Sequence, residues 1–431
     1  MKRLITSFCI LHSAFCIATS AHGAEITKFL VRQQWPWSAK VTIDYTLIGT
    51  GDRTVDVTPT FSLNGAPLDV PTASISGDTD DVSAGEHRVV WDPTLAMLPE
   101  GFKAGDITVT LDVSTNKWLV LDLSGGPTAT SYPATLQGMP TGGWNTDEYK
   151  TTKLVMRRIP PGSFVIGSYL TETNRQNWEA QSNVTLTKDY YIAVFEMTHK
   201  QYELVAGTNT VSTSYQAGDT FPARGVWAEI RGLDKGKLWP TASGSDKASA
   251  VDPGTFMDIL RHKVSLPASI AAKGYVFDLP TEAQWEYACR AGTTNSWNNG
   301  TDISLHPHPS HPDWAIDDNL PLLGWYRWNT DNGGKSRAVG RKLPNAWGLY
   351  DMHGNAGETC LNVHSGVAVS GGTDPMGGGT GTKYYFWRVV RGAGTDFKSQ
   401  AWQCKSGARN RIESSTGWAG GGIRLTLHDE Q

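Results

Sequence analysis

The stretch GLYDMHGNAGETCLN, residues 348–362, decides how the chain reads. It sets Asp351 and Glu358 on either side of Gly354, Ala356 and Gly357, with nothing bulky between them to fill a core. Two carboxylates facing one another without a cation repel. Calcium takes about six to eight hard oxygens from carboxylates and carbonyls, and small residues let the backbone turn its carbonyls toward one centre. The spacing admits a cation loop. Taken alone it equally admits two solvated turn residues.

Working outward, further landmarks flank this loop in order. IPPGSFVIGS (159–168), YYIAVFEMTHKQYELV (190–205) and FDLPTEAQWEYACRAG (277–292) precede it. VVRGAGTDF (389–397), CKSGARNR (404–411) and GGGIRLTL (420–427) follow. In this order the segments resemble the formylglycine-generating enzymes, the sulfatase-modifying factor family. The resemblance implies an α+β variant of the C-type lectin fold, poor in regular secondary structure and stabilised by calcium. Carried over position by position, it makes Asp351 and Glu358 side-chain calcium ligands, with the carbonyls of Gly354 and Ala356 between them. A second family calcium site falls on a less regular stretch around Asn319 to Asp331.

The founding activity of the family oxidises a sulfatase cysteine to formylglycine with oxygen and one Cu(I) held by two thiolates. Soft thiolates suit Cu(I), and no other common side chain replaces a linear pair of them. Counted back from CKSGARNR, the family's thiols fall on Gly394 and Ser399; counted forward from RGAG they fall on Phe397 and Trp402. Neither register supplies sulfur, which argues against copper. Gly357 also stands where the family has Trp, a change expected to open the wall beside the loop.

The iron-dependent sulfoxide synthases, relatives of the same fold, are the other enzymatic comparison. They draw a three-histidine site largely from an N-terminal four-helix domain, and this chain offers strands there instead. His306, His308 and His311 alternate with prolines that hold them extended and pointing apart, as in a polar loop. Iron is therefore not expected. GGTDPMGGGTGTK (371–383) lacks the strand and helix that a phosphate loop needs, and reads as a surface loop.

Two helices announce themselves by the same device. Thr198 stands three residues before Gln201 and Thr281 three before Gln284, each able to cap its helix while the Gln reaches back, with Gly207 and Gly292 as stops. Cys289, on the apolar face of the second helix, reads as a core thiol.

The N-terminal part has a different texture. Residues 1–23 run from Lys2 and Arg3 through a short apolar stretch to Ala21 and Gly23, the pattern of a secretion signal rather than a membrane span. Cys9 and Cys16 leave with it, so Cys289, Cys360 and Cys404 remain, too few for a disulfide framework. Val41, Ile43, Tyr45 and Leu47 alternate as in a half-buried strand, and Asn64-Gly65 marks a hairpin. HRVVWDP and DITVTLDVS supply further strands, so residues 24–122 read as an immunoglobulin- or fibronectin-like β-sandwich without a titratable cluster. Residues 123–152, rich in Gly, Pro, Ser and Thr, read as the connection, and residues 153–431 as the family domain.

The 38 basic and 42 acidic residues leave a net charge of −4, which gives no reason to expect nucleic acid or an anionic membrane as partner. With 46 Gly, 22 Pro and 17 Trp the chain suits turns and aromatic clusters more than a helical bundle. The expectation is a secreted or periplasmic protein that keeps the calcium-braced scaffold and binds a peptide, protein or glycan, with WYRWN and YYFWRVV as candidate groove residues. Its rival is an oxidase with relocated thiols, or an iron oxygenase.

Overall fold

The computed structural model describes residues 24–33, 39–51, 54–68, 70–71, 74–79, 81–95, 107–114, 117–208, 218–225, 227–232, 251–330, 334–376, 387–395, 400–413 and 421–429. The signal segment 1–23 lies outside them, as do Asp331, Phe397, Ser399, most of the glycine-rich stretch after Met376 and the start of YYFWRVV. Among the described residues no helix is long and apolar enough to cross a membrane. The chain forms two units, residues 1–118 with 136–144 and residues 119–135 with 145–431.

The first unit is all-β, as expected. Its strands are β1 (Glu25–Gln33), β2 (Val41–Ile48), β3 (Asp56–Leu63), β4 (Ala66–Leu68), β5 (Ile75–Gly77), β6 (Gly85–Trp91) and β7 (Ile107–Ser114). They form two antiparallel sheets, β1-β2-β6-β5 and β4-β3-β7. Side chains one residue apart point to opposite faces. Val41, Ile43, Tyr45 and Leu47 of β2 therefore enter one core with Val57 and Phe61 of β3, Val89 and Trp91 of β6 and Val109 and Leu111 of β7. The hairpin signal holds: Asn64 and Gly65 join β3 to β4 with φ of 52° and 80°, the left-handed pair that a two-residue hairpin turn requires. One feature was not visible in the sequence. Lys117, almost buried, stands 3.4 Å from Asp56 and 3.1 Å from Asp81, so the unit does hold a small titratable cluster.

The second unit carries a mixed sheet of seven strands ordered Val264–Ser265, Tyr132–Gln137, Trp118–Asp122, Lys153–Ile159, Tyr190–Ala193, Thr426–Asp429, Tyr275–Asp278. The stretch 123–152, read as a connection, thus contributes a strand of its own. A four-stranded sheet ordered Asn410–Glu413, Trp387–Arg391, Gly357–Val363, Gly421–Gly422 carries the loop of interest into its fully buried strand Gly357–Val363.

Both helix starts are as predicted. Thr198 accepts from the Gln201 amide and Thr281 from the Gln284 amide, each with the reciprocal bond that completes a capping box. Gly207 ends the first helix at φ 75°. The second, Glu282–Arg290, ends one residue earlier than expected, on Ala291 in the left-handed conformation, with Gly292 also at positive φ. The His-Pro segment is extended but is not a loop: Leu305–His308 pairs with His311–Asp317 as a hairpin. His306 faces Asp318 at 3.0 Å while the His308 ring lies against Trp328, so these two rings do not converge.

Candidate metal-binding loop

The chain between Asp351 and Glu358 is tightly determined. Asp351 and Asn355 adopt left-handed φ of 59° and 64°, a conformation that Asp and Asn tolerate better than most residues. Gly354 has φ 148°, and a Cβ there would meet the Trp325 carbonyl oxygen at 2.1 Å, so only glycine fits. The Asn355 amide donates to that same oxygen at 2.6 Å. The wall beside Gly357 is not opened by the missing Trp. A Cβ on Gly357 would meet Val390 Cγ1 at 2.6 Å, because the valine fills the space.

Of the four predicted calcium residues, the two carboxylates are brought to one buried cluster. Asp351 Oδ2 accepts from the Gly340 amide at 2.6 Å, whereas Asp351 Oδ1 is buried with no hydrogen-bond partner among the described residues. Glu358 accepts from the Nε–Nη2 edge of the Arg424 guanidinium, at 2.6–2.9 Å, and from the Trp285 indole N–H at 2.5 Å. A third carboxylate, Glu196, was missed in the sequence. It accepts from Asn355 Nδ2 at 2.6 Å and from the Ala356 amide at 2.7 Å, and so grips the loop from the segment after the strand Tyr190–Ala193. Its signal was legible in hindsight as a lone acid in the apolar run YYIAVFEM.

Three buried carboxylates thus surround one guanidinium, with Lys150 and Lys342 further out. Burial, and then the neighbouring charges of Asp351 and Glu358, push Glu196 well above the usual carboxylate range. Burial raises Asp351 to about 6 against the Gly340 hydrogen bond. This is an excess of negative charge that a cation would relieve, and the orphaned Asp351 Oδ1 is a donor atom with nothing to bind. Among the described residues no three His, Cys, Asp or Glu side chains are grouped as metal ligands. Calcium here would therefore draw much of its shell from carbonyls, the role expected of Gly354 and Ala356; of the carboxylate oxygens in the cluster, Asp351 Oδ1 is the one without a partner, both Glu358 oxygens already meeting Arg424 and one of them Trp285.

The thiols give a different picture. Cys289 is buried as predicted, but in polar company: its sulfur lies 3.9 Å from Met352 O, 3.9 Å from His353 Nε2 and 3.8 Å from Ser406 Oγ. Cys360 lies 4.0 Å from the Glu358 carbonyl, and Cys404 packs in an apolar cluster with Trp297 and Leu320. None is in a disulfide. Burial pushes the Cys289 thiol up to about 12 and Cys360 well above its ordinary value, which disfavours the thiolates that Cu(I) needs. At the family's thiol positions, a Cβ on Gly394 would meet the Gly357 amide nitrogen at 2.9 Å, leaving no room for a side chain. Trp402 lies half-buried in the turn Ala401–Cys404.

Comparison with known proteins places this geometry. Residues 145–428 match the family described as the Sulfatase-modifying factor enzyme 1-like domain. The chaperone protein LppX of Paenibacillus barcinonensis is 27% identical over 229 residues, 50% of this chain and 72% of that protein. The formylglycine-generating enzyme of Bos taurus is 27% identical over 228 residues, 48% of this chain, and the match spans only 57% of the enzyme's length. Among solved structures, PvdO from Pseudomonas aeruginosa aligns at 21% identity and a TM-score of 0.43, covering 64% of this chain and 94% of PvdO.

Proposed function

Over residues 145–428 the chain belongs to the Sulfatase-modifying factor enzyme 1-like family, and from that premise we propose that it is a non-oxidase member, a calcium-braced scaffold that binds a peptide, protein or glycan outside the cytoplasm. The observation that carries this reading is the fate of the sulfurs. Three buried thiols sit in three different surroundings, two of them with raised pKa, and Gly394, a thiol position in one of the two registers, has no space for a side chain. A copper oxidase needs two thiolates on one ion.

Calcium in this proposal is structural. Asp351 and Glu358, with the carbonyls of Gly354 and Ala356, would hold it, and Glu196 would hold the loop's own amides in place. Bound calcium would supply the positive charge that three carboxylates and one arginine leave wanting. Similarity to a protein named a chaperone as well as to a formylglycine-generating enzyme supports a binding role for this architecture. The apolar stretch before Ala24 supports export.

The test is metal analysis of the purified mature protein, combined with incubation of a cysteine-containing sulfatase peptide with copper and oxygen. Stoichiometric calcium, no copper or iron, and a peptide of unchanged mass are expected. Copper-dependent conversion of the peptide thiol to an aldehyde would overturn the reading.

A further inference from the structure

We propose that the surface formed by Leu322, Leu343, Arg341, Lys342 and the Trp325–Arg337 stack docks an acidic peptide segment carrying aliphatic side chains. This deepens the scaffold reading above and rests on it. The residues come from two segments held side by side, since the Leu343 amide donates to the Leu322 carbonyl at 3.0 Å. Both leucines are exposed, at 54% and 59%, beyond what scattered surface apolar residues require when they are adjacent.

Four basic side chains, Lys335, Arg337, Arg341 and Lys342, lie near them in sequence. Lys342 Nζ sits 3.7 Å from the centroid of the Trp325 ring and the Arg337 guanidinium 5.7 Å from it. Arg341 and Lys335 are exposed beside them in sequence, and Arg341 acts electrostatically on Lys150. Among the described residues, no ion pair engages Lys342 or Arg341. Asp351, whose charge acts on Lys342, is buried in the loop. An incoming anion therefore meets in Lys342 and Arg341 two cations with no ion-pair partner to displace among the described residues.

The occupant's class follows from what the indole cannot do. A sugar ring docks by stacking on an open aromatic face, and here Lys342 Nζ sits over the Trp325 ring. Leucines paired with ammonium and guanidinium groups suit instead an extended chain that alternates Leu or Val with Glu or Asp. Backing by the tightly bonded loop at Asn355 keeps Trp325 in place, so the surface is preorganised and loses little entropy on binding.

The probe is a fluorescein-labelled peptide alternating Glu and Leu, titrated by anisotropy against the full chain, with its Gln-for-Glu counterpart and heparin as comparators. Saturable binding of the Glu–Leu peptide is expected, weakened by salt and by about tenfold or more in Arg341→Glu and in Leu322→Ser/Leu343→Ser. Arg341 is exposed and both variants are checked for an unchanged thermal melt. Heparin binding that responds to Arg341→Glu while the peptide does not bind would overturn the proposal in favour of a polysaccharide. Absence of binding by either probe, in protein shown to hold calcium and to leave the sulfatase peptide untouched, would sink this surface alone and not the scaffold reading.

Discussion

The inward-facing residues of the N-terminal sandwich are Val, Ile, Leu, Phe, Tyr and Trp, placed by simple alternation along β2, β3, β6 and β7. At the centre of the C-terminal unit, the helix Glu282–Arg290 instead turns Glu282 and Glu286 inward. Arg391 meets both, at 2.8 and 2.7 Å, and Arg409 takes Glu282 at 2.9 Å. All four are nearly or wholly buried. Burial opposes the charge on Glu282, yet Arg409 and Arg391 outweigh it and hold its carboxyl below the usual range. The first kind of core loses only burial and contacts when one member is deleted, and it keeps every remaining group in surroundings that suit it. The second does not, since deleting one partner strands the other's charge in a medium that cannot solvate it.

The largest effect is therefore expected at Arg391. Arg391→Ala leaves two carboxylates without their shared guanidinium and should cost about 3–5 kcal/mol or more, read as loss of folded protein or a lowered urea midpoint. Retention of wild-type stability would mean that the buried pairs are not what holds the unit. In the sandwich, Leu47→Ala removes a fully buried side chain and should cost about 2–5 kcal/mol through lost burial and a residual cavity. Its signature is confinement: hydrogen exchange should quicken in β1, β2 and β6, not in the helix Glu282–Arg290.

Thr281→Ala deletes one half of a capping box and should cost about 1 kcal/mol, seen as fraying at the start of that helix. A further effect, conditional on pH, concerns Asp189, where burial works against the charge but bonds from Lys273, Tyr275 and Arg158 hold the carboxyl at about 2. A folded-state value below the unfolded one stabilises the fold above the unfolded value and loses that contribution as pH falls through the folded one. The stability gap between wild type and Asp189→Asn should close between about pH 4 and pH 2. A gap independent of pH would mean that the site's contribution is packing.

The same contrast decides what could be read in advance. Alternation in residues 41–48 and the Asn64-Gly65 turn announced the sandwich because hydropathy period is a local property. The capping boxes at Thr198 and Thr281 were legible for the same reason: four consecutive residues carry the whole signal. The loop Asp351–Glu358 was legible as a pattern of small residues between acids. Its third acid, Glu196, and its counter-ion Arg424 come from segments far away in sequence, and a charge in an apolar run looks like an interruption until its partner is known. Val390, which closes the gap left at Gly357, is invisible for a related reason, since nothing local ties a valine in one strand to a glycine in the next. The strand Tyr132–Gln137 hid in a stretch whose Gly, Pro and Thr content resembles a connector.

The most direct measurement is amide hydrogen exchange of residues 348–362 beside residues 41–48, with calcium and then with a chelator. Calcium at about a hundred times its Kd should add about 2.7 kcal/mol of protection to the loop and leave the sandwich strand unchanged. Equal exchange in the loop with and without calcium would contradict a cation-braced scaffold.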